Sequence, residues 1–173
     1  MTWLTPGRQK EIDNVIAGIY LATNKKYPED GLIDIVHSCG IDVVDYNFGT
    51  HGSEIMGAIK YPEPAKAVRR PIILVNKYKS DTNKTFTLAH ELGHYKLYHA
   101  TKGIKFRLDY DYSVDHQEIK KEVEANYFAG ALLMPKEQVI QLAESTSDLS
   151  EVAKYFGVSR KALDVRLAWL RKN

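Results

Sequence analysis

A single cysteine, Cys39, stands among 173 residues. One thiol excludes an intrachain disulfide, and with it the disulfide-stapled secreted scaffolds, and it suits a reducing compartment. The chain also lacks any apolar run of the roughly 18–20 residues that a membrane-spanning helix requires. The stretch from Met1 to Arg8 has no positive segment leading into a long apolar one, so the reading expects no secretory signal and a cytoplasmic protein. Neither sign of charge is in marked excess: 24 Lys and Arg oppose 22 Asp and Glu, a net charge of +2. There is no internal repeat, low-complexity tract or long linker. What remains, 44% hydrophobic and 27% charged residues, describes a chain able to bury one good core.

Against this background His90-Glu91-Leu92-Gly93-His94 stands out. Two imidazoles four positions apart on a helix lie on one face, with Cβ atoms roughly 5–6 Å apart, so both rings reach a single zinc ion at about 2.0–2.1 Å. Glu91 then points beside the metal, where a carboxylate takes a proton from bound water, which makes it the candidate general base. With six histidines in 173 residues the pattern is expected by chance about 0.01 times. The bland alternative, two solvated histidines on a surface helix, is opposed by the flanks. Phe86, Ala89, Leu92 and Leu97 form a mostly apolar stripe at helical spacing. Gly93 mid-helix, at a cost of about 1 kcal/mol against Ala, suggests close packing against another backbone.

A catalytic zinc site takes three protein ligands and leaves one position open. Residues 118–133 read as a second helix, running up to the break at Met134-Pro135, and offer Glu122 or Glu124. Glu122 heads a stripe of Ala125, Asn126, Ala129, Leu132 and Leu133, with Asn126 one turn on to hydrogen bond a liganding histidine. Glu124 has apolar neighbours of its own in Tyr127, Phe128 and Ala131, and either carboxylate could instead pair with Lys120 or Lys121, so periodicity leaves the choice open. His116 is a weaker ligand candidate. Were the first helix to continue, His99 would lie about 140° around it from His94, a structural or supporting position.

Phe86 to His94, then Glu122-Val-Glu-Ala-Asn-Tyr-Phe-Ala129 and Leu132-Leu-Met-Pro135, closely resemble the ImmA/IrrE family of HExxH metallopeptidases. The resemblance covers roughly residues 30 to 170 and breaks the tie between the two carboxylates. Zinc peptidases with a glutamate as third ligand often use Glu-x-x-x-Asp, and Glu122 with Asn126 fits that spacing, the amide leaving the supporting bond uncharged. The metzincin pattern expects glycine at position 97 and histidine at position 100, where this chain has Leu97 and Ala100. The resemblance thus implies zinc on His90, His94 and Glu122, with Glu91 catalytic; the nearby hydroxyl or imidazole of Tyr98, His99 or Tyr127 is a candidate helper at the oxyanion, none of them favoured. It further implies an intracellular endopeptidase that cleaves or inactivates a specific protein substrate, a DNA-binding repressor of a mobile element or stress response. The alternative function is a non-catalytic regulator that binds a repressor or DNA with the same fold.

The implied architecture is α+β: a zincin-like core with a small antiparallel or mixed sheet, an active-site helix and a second ligand helix, followed by helices resembling a helix-turn-helix. Residues 1–146 would form the peptidase domain, including an amphipathic first helix over about 8–24, and residues 147–173 a C-terminal appendage. Short strands are expected at 41–46, 55–61 and 71–76. The last leads into the metal-binding helix and is read either as an exposed edge for an extended peptide or as an interior strand. Residues 100–117 are read as a lid or a surface loop. Leu149, Val152, Ala153 and Phe156, then Gly157, Ser159 and Leu163, occupy the packing, stop and cap positions of a helix-turn-helix. That segment is mildly basic, at +3. Direct DNA binding is the less favoured use for it.

Overall fold

The computed structural model describes residues 4–49, 52–62, 70–99, 104–108 and 116–171, the side chains of 104–108 and of residue 116 excepted. Helix α1 (Pro6–Thr23) opens on a Thr5 cap with proline in its first turn, and α2 (Leu32–Ser38) follows. Strands β1 (Asp42–Tyr46), β2 (Ile55–Lys60) and β3 (Ile72–Asn76) lead into α3 (Asp81–Lys96). Strand β4 (Ile104–Leu108), α4 (His116–Leu133), α5 (Lys136–Ser145), α6 (Leu149–Tyr155) and α7 (Arg160–Arg171) complete the described chain.

The sheet runs β1-β3-β2-β4, parallel between β1 and β3 and antiparallel elsewhere. It is the small mixed sheet of an α+β fold. Strand β3 therefore has partners on both sides, so the exposed-edge reading of residues 71–76 is corrected to the interior one. Among the described residues the edges are β1 and β4, and β4 lies within the stretch read as a lid or loop.

Helix α3 lies between the sheet and α4, and every residue from Thr87 to His94 is buried. Ile59, Ile73 and Val75 meet Leu88, Ala89 and Leu92, while Phe128 and Leu132 close the core from α4. Gly57 on β2 permits this approach. A Cβ there would stand 2.5 Å from Thr87 Cγ2 and 2.8 Å from the Leu74 carbonyl oxygen, and the backbone atom has little room to yield. Gly57→Ala is expected to cost about 1–3 kcal/mol. Urea unfolding would measure it, and an unchanged midpoint would mean that α3 is not pressed against the sheet.

Gly93 marks the opposite contact of α3. A Cβ there would come within 2.9 Å of Phe128 Cδ1, so the glycine admits a ring from α4, in place of the backbone expected from sequence. Beyond α4, Gly157 at φ +60° stops the chain between α6 and α7, and Ser159 Oγ caps α7 by accepting from Ala162 N at 3.2 Å. Helix α7 faces α4, setting Trp169 edge-on to Tyr127 and burying Arg166, whose Nε donates to the Met134 carbonyl at 3.1 Å. Arg160 pairs with Asp164. Two of the basic side chains behind the DNA reading are thus engaged within the protein. No helix among the described residues is long and apolar enough to cross a membrane.

Candidate metal centre

Helix α3 starts where Ser80 accepts a hydrogen bond from Asn83 N, and its buried central turns carry His90, Glu91 and His94, exposed by 1%, 2% and 4%. Polar groups enclosed this deeply require partners. The two Nε2 atoms face one another at 2.9 Å. Glu122, half-exposed on α4, brings Oε2 to 3.2 Å from His90 Nε2 and Oε1 to 3.1 Å from His94 Nε2. Four ligands arranged tetrahedrally at about 2.05 Å from zinc would be separated by about 3.3 Å. The three donor atoms come close to that spacing.

Asn126, one turn beyond Glu122, holds the other side of His90, with Oδ1 2.9 Å from Nδ1. The amide oxygen accepts, so the His90 proton lies on Nδ1 and the Nε2 lone pair is free to bind a cation. Two neutral imidazoles and a carboxylate, all aimed at one point, suit a divalent ion. Among the described residues, His90, His94 and Glu122 form the group whose ligand atoms lie mutually within 4.8 Å. When no cation is bound and the proton of either ring sits on Nε2, hydrogen bonds from His90 and His94 outweigh the burial of Glu122 and hold its carboxyl well below the usual range; a bound cation would take the place of that proton.

The structure separates the two carboxylates that periodicity left open. Glu124, two positions on and buried, accepts from Arg8 Nη2 at 2.6 Å and from His99 Nε2 at 3.1 Å. His99 Nδ1 is in turn 2.9 Å from His94 Nδ1. This follows from how α3 ends. The helix stops at Lys96, and Tyr98 takes a left-handed conformation at φ +56°. His99 N then donates to the His94 carbonyl and Tyr98 N to that of Tyr95. This Schellman pattern folds His99 back beside His94, replacing the position expected of a continuing helix. Burial and the neighbouring His94 lower the His99 pKa to about 4, Glu124 opposing them.

Of the three candidate helpers, Tyr127 donates its hydroxyl to Asp13 on α1, His99 bridges His94 and Glu124, and Tyr98 is 82% exposed. His116 opens α4, and its side chain lies outside the described residues. Arg8 carries no motif, and its place beside Glu124 had no signal in the sequence. A cavity of about 450 Å³ adjoins Asn126, walled by Met56, Phe86, Tyr127, Ala162 and Trp169.

Residues 38–168 match the family model described as the IrrE N-terminal-like domain. Over 135 residues, 78% of this chain and 77% of its relative, the sequence is 33% identical to the "Uncharacterized immunity region protein 2" of Bacillus phage phi105. A solved structure described as a Mycobacterium tuberculosis transcriptional regulator is similar with a TM-score of 0.60 at 18% identity, covering 94% of this chain and 48% of that one. The chain thus spans about half the length of that structure, and the likeness is one of fold.

Proposed function

This chain belongs to the ImmA/IrrE family, whose peptidase model of the IrrE N-terminal-like domain it matches over residues 38–168, and from that membership we propose that it is a zinc-dependent endopeptidase of the cytoplasm. The observation that carries the proposal is the convergence of His90, His94 and Glu122 from two helices. These three would hold zinc, which when bound lowers the pKa of a water to about 7 and polarises a peptide carbonyl. Glu91, in the turn between the two histidines, takes the water proton as the oxygen attacks and delivers it to the departing amine. Asn126 keeps His90 oriented throughout.

The substrate we propose is a regulatory protein, a DNA-binding repressor of a mobile element or stress response. The immunity-region name of the phage relative supports this choice. An extended substrate segment would add to β4, an edge strand that the chain reaches between the two ligand helices, with main-chain hydrogen bonds holding it in register. A side chain of that segment would enter the apolar cavity beside Asn126.

The test is to measure zinc by mass spectrometry in protein purified without chelator, then to incubate it with the repressor encoded beside its gene and identify fragments. About one zinc per chain and a single cleavage, abolished by chelator and restored by zinc, is the expected result. Tight repressor binding without cleavage would replace the peptidase with a binding regulator.

A further inference from the structure

His94 needs its proton on Nδ1 if Nε2 is to bind a metal, and something must accept that proton's hydrogen bond. On the His90 side the acceptor is Asn126. On the His94 side it is an imidazole, His99, held by Glu124. We propose that His99 and Glu124 are positioning residues for the metal, forming a supporting line that fixes the tautomer and orientation of His94.

The proton inventory closes along this line. His94 Nδ1–H donates to His99 Nδ1 across 2.9 Å, His99 Nε2–H donates to Glu124 Oε2 across 3.1 Å, and the same oxygen accepts from Arg8 Nη2 across 2.6 Å. With one proton on each imidazole, the carboxylate accepting and the guanidinium donating, no donor opposes a donor. Both His99 and Glu124 side chains are about 5% exposed, so water does not readily replace either partner. The left-handed Tyr98 turn puts the His99 ring 4.9 Å from that of His94, nearly perpendicular to it at 75°. A role confined to fastening α1 onto α4 would need only Arg8 and Glu124. Insertion of His99 between that ion pair and a ligand is what points to the metal.

This inference rests on the metal reading, and its test separates the two. Zinc affinity is measured by competition with a chromophoric chelator, and the visible spectrum is recorded after cobalt substitution, for the parent, His99→Phe, His99→Asn and Glu124→Gln. Phenylalanine keeps the ring but offers no acceptor, and is expected to weaken zinc binding about 10–100-fold and to shift the cobalt bands. Asparagine places an oxygen near the site of Nδ1 and should restore most of the affinity. Glu124→Gln, which keeps an acceptor but removes charge, is expected to lose about tenfold and supplies the decisive reading should His99→Phe fail to fold. Zinc affinity and cobalt bands unchanged in the folded variants would overturn the supporting line and leave the metal site standing. A parent that binds neither metal would remove the metal reading and this inference with it.

Discussion

Glu91→Gln is expected to retain zinc and to lower peptide cleavage by about two to four orders of magnitude. Glutamine has nearly the shape of glutamate, so a side chain 2% exposed in the middle of α3 is replaced without opening a void. What disappears is the proton acceptor next to the proposed metal. Without it the water must lose its proton to bulk solvent, and the departing amine has no positioned donor. His94→Ala is the companion, expected to lose zinc as well as cleavage. Metal analysis of both proteins beside fragment counting on the repressor separates the two failures. Full activity in Glu91→Gln would remove Glu91 from the chemistry, and loss of zinc in that variant would make Glu91 part of the metal environment.

Phe128→Ala is expected to destabilise the fold by about 3–5 kcal/mol, the range for removing a fully enclosed aromatic ring. Phe128 is wholly buried and fills the space left by the missing side chain of Gly93. The void would open directly between the helices that carry the three candidate ligands, where neither can close in without moving the donors. Urea unfolding of the metal-free protein is the cleanest measurement, because bound zinc would add its own linkage. A loss under about 1 kcal/mol would mean that α3 and α4 collapse readily onto one another.

The pentapeptide was legible because its chemistry is local: two rings and a carboxylate within five residues need only a helix to converge. Glu122 and Asn126 were nearly as legible, since one turn of helix relates them, although selecting Glu122 over Glu124 took the family resemblance. The position of His99 was not. Residue 98 is a tyrosine, so the usual glycine signal for a left-handed helix stop is missing and the helical reading ran on. Arg8 is 116 residues from Glu124, and no local pattern reports a contact at that separation. The sheet order was similarly hidden, because Ile72–Asn76 is equally apolar whether it forms an edge or the interior. Strand β4 does carry a sequence signal: Ile104, Phe106 and Leu108 alternate with Lys105 and Arg107, a period of two beneath conspicuous charge. Helix α5 begins at once after the Met134-Pro135 break, where a proline that ends one helix lies immediately before the next.

The partnership of Arg8 with Glu124 bears on where this unit can be cut. The family match starts at residue 38, thirty residues after Arg8, and a chain trimmed to 38–168 would keep all three candidate ligands. It would also strand an enclosed carboxylate without its cation, a loss that reaches about 3–5 kcal/mol where both partners are buried and is smaller here because Arg8 is about one-third exposed. The boundary drawn by sequence similarity and the boundary drawn by charge balance therefore differ, and a fragment meant to keep Glu124 paired has to reach back to the first turn of the first helix.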